Sequence, residues 1–275
     1  MLPKTLEPTI LLENEHVLVL NKPAGVVVNR ASSVKVSTLQ DWVEAYLQAD
    51  PVWQRDRAVD QIFAERSGMV HRIDKDTSGA ILFAKQAVAM HDLMRQFKER
   101  TVQKTYVALV HGHLPTHEGI VRAPIVRHPK SRERFTVGEG GRPSETYYKV
   151  KKEFSSINIE KLLQENKKSE HPIRALEKEI KVYEGGFTLV ELAPKTGRTH
   201  QIRVHMQFLH HPLVGDERYT GRRRSRLDAL WCSRQFLHAA SVTFSLPEEG
   251  SAEKRVTVEA PLAGDLQMSL EMLSI

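Results

Sequence analysis

Between His71 and Ala80 the chain reads "HRIDKDTSGA". Two carboxylates, Asp74 and Asp76, stand beside Arg72 and Lys75 and are followed by Thr77, Ser78 and Gly79. A carboxylate next to a guanidinium stays ionised at neutral pH, so it can serve as a nucleophile or a base. The hydroxyls, the backbone N–H groups and the glycine after it suit holding such a side chain at a fixed angle. The same composition also suits a solvated, salt-bridged turn, and the segment alone does not separate the two.

Other chemistries find less support. The thirteen histidines include positions 200, 205, 210 and 211 around one helical stretch, but none of these pairs at i, i+4 as a helical metal site requires. There is no Walker sequence and no G-x-G-x-x-G after a strand, so phosphate-cradling nucleotide loops are not expected. Ser78 lacks a G-x-S-x-G frame. A glycosidase would face two carboxylates across one bond, whereas Asp74 and Asp76 are two apart in a loop. The lone Cys232 excludes an internal disulfide and a multi-cysteine zinc site. Neither a metal nor another cofactor is expected.

The elements that must position these residues follow from periodicity. "HVLVLN" (His16–Asn21) is a buried strand running into the turn "KPAG". In "STLQDWVEAYLQADP", Ser37 and Gln40 form a possible capping box. Leu39, Trp42, Val43, Tyr46 and Leu47 line one helical face expected to pack in the core, with Pro51 ending the helix. A second helix is expected from Ala87 to Glu99 with Met90, Leu93, Met94 and Phe97 inward. Strands are expected at Lys104–Gly112, at "FTLVELA", and at the closing "HAASVTFSL" and "RVTVEA". Ile202, Met206 and Leu209 mark a helix ended by Pro212. Ala123–Glu145, rich in Pro and Gly, is expected as a loop or loose hairpin. Residues 151–184 are dense in Lys and Glu and are expected to be a solvated charged insertion of unknown role. Strands and helices without regular alternation predict an α+β fold with a mixed or antiparallel central sheet flanked by helices and loops. The absence of a composition break predicts a single domain over 1–275.

Length and charge bound the partners. The 275 residues carry a formal net charge of +6, with basic runs "RHPKSRERF" and "ERYTGRRRSR". Such clusters favour polyanions, nucleic acid first. No apolar run approaches the ~20 residues of a membrane span. The N-terminal stretch has no basic n-region, and Glu7, Glu13 and Glu15 interrupt any signal-like core. A cytoplasmic protein without membrane contact is expected.

The combination is more specific than any part. In order come "NKPAG", "HRIDKDTSG", "KTYVALVHG", "KTGRTHQIRVH", "HPLVGDERY" and "RQFLHAASVTF". This series resembles the RNA pseudouridine synthases, in particular the RluA-type branch acting on large-subunit rRNA and tRNA, across nearly the whole chain. The resemblance implies the pseudouridine synthase fold and isomerisation of specific uridines in rRNA or tRNA. No cofactor is implied, nor any protein partner, and a monomer suffices. It makes Asp74 the catalytic nucleophile, with Tyr106 in the active site and Arg203 pairing with the nucleophile (Arg198 being the second choice for that role), while Asp76 falls at a variable position. Lys22 and Pro23 would support the site. Substrate contacts are expected from Arg72, Thr77, Arg198, His200 and Gln201, and from Arg127, Arg132, Arg134 and Arg223 of the basic runs. Since the target base must leave its stack, flipping is implied. Only about twenty residues precede "NKPAG", so the small N-terminal S4-type RNA-binding domain of many relatives is expected to be absent.

Overall fold

The apolar runs become strands buried on both sides, as their unbroken hydrophobicity demands. Val17–Leu20 and Ile81–Ala84 are inaccessible to solvent. The computed structural model describes residues 7–32, 34–165, 179–246 and 254–275. In chain order the elements begin with β1 (Thr9–Glu13), β2 (Val17–Lys22), α1 (Leu39–Leu47), α2 (Pro51–Val59), α3 (Gln61–Arg66), β3 (Ser78–Ala84) and α4 (Ala87–Glu99). Next come β4 (Gln103–His111), β5 (Glu118–Arg122), β6 (Ile125–Arg127), β7 (Phe135–Val137), β8 (Glu145–Phe154), β9 (Ser156–Ile157) and α5 (Ile159–Glu165). The chain closes with β10 (Phe187–Pro194), α6 (Gln201–Phe208), α7 (Arg222–Asp228), β11 (Leu237–Ser245), β12 (Arg255–Glu259), α8 (Gly264–Leu270) and β13 (Leu273–Ser274). The fold is α+β, and it divides into two compact units: Met1–Thr105 with Ala239–Pro261, and Tyr106–His238 with Leu262–Ile275.

In the first unit β2 pairs antiparallel with β1 on one side and β3 on the other, and β11 pairs antiparallel with β12. α4 covers β3 with Met90 and Leu93 buried. Gln96 fixes that helix to β11, its amide bonding both the N–H and the carbonyl of Ser245 at 2.9 and 2.8 Å. Three sequence expectations for the N-terminal helices need correction. The capping box is Thr38 with Asp41, one residue later than Ser37 with Gln40. Gln40 instead points inward, where its amide donates to the Glu65 carbonyl and the Ser67 hydroxyl. Pro51 does not end α1; it opens α2 as the first helical residue behind the cap Asp50, where its missing N–H costs nothing. Trp42 and Tyr46 do not join the core but stack on one another at 5.0 Å, with Tyr46 42% exposed and its hydroxyl bonded to Glu13.

In the second unit the ladder runs β4-β10-β8-β5, each neighbour antiparallel. The expected loose hairpin is a short one, β6 paired with β7. Residues 151–184 are more structural than their charge suggests. β8 runs on to Phe154, and Phe154, Ile157, Leu162, Ile180 and Tyr183 are buried in one cluster with Phe187, Trp231 and Phe236. Apolar residues spaced among lysines and glutamates suffice for this, because a two-faced element needs to bury only one side. Residues 166–178 of that stretch lie outside the described residues. Among the described residues no helix is long and apolar enough to cross a membrane.

Candidate active site

In the first unit the Asp74 turn is anchored on both flanks. Ahead of it, Met69 bridges to Phe83, and the Gly68 carbonyl accepts from the Ala84 N–H at 2.8 Å, so the chain enters alongside β3. His71 extends that alignment with its side chain: Nε2 accepts the N–H of Leu82 at 2.9 Å, and the ring stacks on Phe97 of α4 at 5.0 Å. Burial, aided by the neighbouring charge of Lys104, pushes the His71 pKa down to about 3, so the ring is neutral and its Nε2 stays an acceptor. Burial likewise lowers Lys104, which lies over the Phe97 ring, to about 8.

Behind Asp74 the support comes from the "NKPAG" turn. Lys22 has no exposed surface, and its ammonium donates to the carbonyls of Pro23, Val26 and Lys75 at 2.8, 3.0 and 2.8 Å. The N–H of Gly25 adds a second donor to the Lys75 carbonyl at 2.9 Å. The turn closes on itself through Thr77 N–H to Asp74 carbonyl at 3.2 Å. Gly79, at φ 113, lets β3 begin against β11, because a Cβ there would lie 2.2 Å from the Ala239 carbonyl oxygen. Thr77 is buried, while Arg72 is exposed and reaches Asn29 Oδ1 at 3.4 Å. Asp74 is partly buried and Asp76 is exposed.

The second unit carries the other candidates. Tyr106 opens its share of β4 opposite Leu192 of β10 and is 8% exposed. Arg203 lies on α6 and forms a two-pronged buried pair with Asp216, Nε to Oδ2 at 2.7 Å and Nη2 to Oδ1 at 2.8 Å. Asp216 is held in turn by its loop. Gly215 sits at φ 71, where a Cβ would meet the Arg234 carbonyl at 2.1 Å, and its N–H donates to Asp228 Oδ2 at 2.9 Å. Asp228 also accepts from Tyr183 at 2.7 Å and contacts His111 Nε2 at 3.0 Å. Sequence reasoning took Asp216 only as a letter of "HPLVGDERY"; its meaning depends on a partner thirteen residues away and could not be read from the chain.

Tyr219 is the other residue the sequence left without a role. Its hydroxyl accepts the Phe135 N–H of the β6–β7 hairpin at 2.9 Å and meets His200 Nδ1 at 2.9 Å. Arg203 and Arg134 both lie over its ring, at 5.1 and 5.4 Å. Burial raises the Tyr219 phenol above its ordinary pKa.

The remaining expected contacts divide by availability. Gln201 is buried with its amide saturated: Oε1 accepts from Thr196 and the Arg198 N–H, and Nε2 donates to the Glu145 carbonyl and Thr146. Its side chain braces the α6 N-terminus instead of presenting itself to substrate. Arg127 lies over Phe135 at 5.1 Å and donates to the Arg132 carbonyl, while Arg132 and Arg223 are exposed. The Nε atoms of Arg134 and Arg198 are buried without a protein acceptor, an arrangement that an anion would complete.

Comparison with known proteins shows the family to which the chain is similar. Residues 16–208 match the family described as RNA pseudouridylate synthase. The chain is 35% identical over 266 residues to the ribosomal large subunit pseudouridine synthase C of Vibrio cholerae, covering 96% of this chain and 69% of the relative. It is 35% identical over 267 residues to the ribosomal large subunit pseudouridine synthase D of Nitrosomonas europaea, covering 96% of this chain and 64% of the relative. Among solved structures, human RNA pseudouridylate synthase domain containing 1 superposes with a TM-score of 0.64 at 25% identity, over 95% of this chain and 86% of that one.

Proposed function

Because this chain belongs to the RNA pseudouridylate synthase family, isomerases acting on RNA, we propose that it converts specific uridines of ribosomal RNA to pseudouridine with Asp74 as the nucleophile. The observation that carries this reading is the anchoring of the Asp74 turn by Lys22 on one flank and His71 on the other, since a nucleophile must meet its target within tenths of an ångström. The relatives' names favour large-subunit rRNA over tRNA as the first substrate to try.

In the proposed reaction the Asp74 carboxylate attacks either C1′ of the ribose or C6 of the uracil, and the N1–C1′ bond breaks. The base turns, C5 bonds to C1′, Asp74 departs, the proton on C5 leaves to solvent, and N1, freed from C1′, takes up a proton from solvent. Substrate and product have the same mass, so no external oxidant, reductant or group donor enters the balance. Arg203 serves as the cation of the site, and Tyr106 packs on the base and assists the C5 proton. The uridine is flipped from an RNA loop, where unstacking costs only ~a few kcal/mol. Arg134 and Arg198, with their unaccepted Nε atoms, bind phosphates beside it together with Arg127, Arg132 and Arg223. Arg72, Thr77 and His200 complete the substrate contacts. We take the two compact units to serve one reaction as a single catalytic domain, in a cytoplasmic monomer.

The test is tritium release from unmodified large-subunit rRNA transcripts labelled at uracil C5, with tRNA transcripts alongside. Wild type releases tritium without chain cleavage or free base, and Asp74→Asn releases none. Salt-sensitive binding with no release from any transcript would replace this reading with that of a non-catalytic RNA-binding protein.

A further inference from the structure

Arg203 and the basic hairpin are separate elements of the second unit, and one side chain touches both. The Tyr219 hydroxyl accepts the Phe135 N–H and shares a second hydrogen bond with His200 Nδ1. The ring beneath carries the Arg203 guanidinium at 5.1 Å and that of Arg134, from the hairpin, at 5.4 Å. Ile125 of β6, Val204 of α6 and Tyr219 form one buried cluster, with Phe135 and Val137 of β7 packed against it. His200 holds a left-handed backbone at φ 57, a conformation that favours glycine, and its ring also meets Phe135 edge-on at 5.8 Å. Tyr219 and the hairpin contribute contacts that hold this residue in place.

From this geometry we infer that Tyr219 is a positioning residue that couples the RNA-contacting hairpin to Arg203, so that RNA seated on β6–β7 sets the orientation of the Arg203–Asp216 pair. Movement of the hairpin backbone at Phe135 is delivered through the hydroxyl to Tyr219. Rotation of the ring then shifts the cation-bearing face on which Arg203 rests. Asp216 grips the guanidinium from one edge and the ring supports its plane. The coupling favours uridines in RNA that fills the hairpin over those in short fragments that do not reach it. This inference rests on the pseudouridine synthase reading and adds to it the means by which distant RNA contacts reach the site.

The test is a double-mutant cycle of Tyr219→Phe and Arg127→Ala. The first removes the hydroxyl and keeps the ring; the second disturbs the hairpin at Phe135, over which Arg127 lies. Single-turnover rates are measured at saturating unmodified large-subunit rRNA transcript. Each substitution slows the chemical step about tenfold, and the double variant is no slower than about tenfold, because both cut the same link. A double variant slowed about a hundredfold, the product of the two, overturns the coupling and leaves Tyr219 as packing. An activity-independent arm follows the Arg203 Nε–H resonance, identified by its loss in Arg203→Lys, in the RNA-free protein. Arg127→Ala shifts this resonance in the wild-type background but not in Tyr219→Phe. An unshifted resonance in Arg127→Ala overturns the inference, and this arm decides even if Tyr219→Phe folds poorly. Absence of tritium release by wild type counts against the enzymatic reading, and the resonance still judges the coupling.

Discussion

Replacing Lys22 by Met keeps an unbranched apolar stem of nearly the same length and removes the ammonium. Its three carbonyl partners lose a charged donor at 2.8–3.0 Å. A hydrogen bond to a charged group contributes about 1.5–3 kcal/mol net, and an orphaned buried acceptor costs about 1–3 kcal/mol. The losses are not equal here. The Lys75 carbonyl keeps the Gly25 N–H, and those of Pro23 and Lys75 are only part-buried, so water can reach them. The Val26 carbonyl is buried and bears the full loss. Relief of the buried charge works in the opposite direction. The net destabilisation is about 2–4 kcal/mol, a large share of the ~5–15 kcal/mol that holds a protein folded. It is measured as a lower urea midpoint at unchanged slope. Because the Lys75 carbonyl follows Asp74 directly, the variant also loses kcat with little change in KM. A destabilisation under about 1 kcal/mol, with kcat intact, would refute the claim that Lys22 fastens the Asp74 turn.

Asp216→Asn keeps the shape but opposes an amide N–H to a guanidinium N–H in a pair whose side chains are 6% and 0% exposed. It costs about 3–5 kcal/mol in thermal or urea unfolding and lowers the single-turnover rate; a loss below about 1 kcal/mol would contradict the pairing. His71 gives a pH signature. Its folded pKa of about 3 lies below the ordinary 6.5, so the unfolded chain takes up a proton first as pH falls. Stability is therefore complete above 6.5 and is lost progressively down to about 3, by at most about 5 kcal/mol, and His71→Gln flattens that slope. Cys232 is buried and its thiol is pushed up to about 12, so a thiol reagent modifies the native protein only as fast as it opens, and at once in denaturant.

Much was legible in the order of residues alone. Periodicity located β2, β4, β10 and α4 nearly to the residue, because an element that buries one face or both writes that burial into its own sequence. The motif series also pointed to Asp74, Tyr106 and Arg203 as the candidate site, since each occupies a characteristic place within its own segment. Local rules failed where two neighbouring choices were nearly equal in energy. Ser37 and Thr38 can both cap a helix, and the buried bonds of Gln40 decided between them. Pro51 can follow one helix or open another, and the cap at Asp50 selected the second.

What only the tertiary structure decided is which side chains meet. That Asp216 grips Arg203, that Lys22 reaches Lys75 across 53 positions, and that Tyr219 takes the Phe135 N–H across 84 are contacts between segments with no common period. The same structure turned Gln201 from an expected substrate contact into a brace and Trp42 with Tyr46 from core residues into a surface stack. Sequence sets what each residue can donate, accept or bury. A hydrogen bond or ion pair needs both partners within about 3 Å, and only the folded chain brings distant residues to that distance.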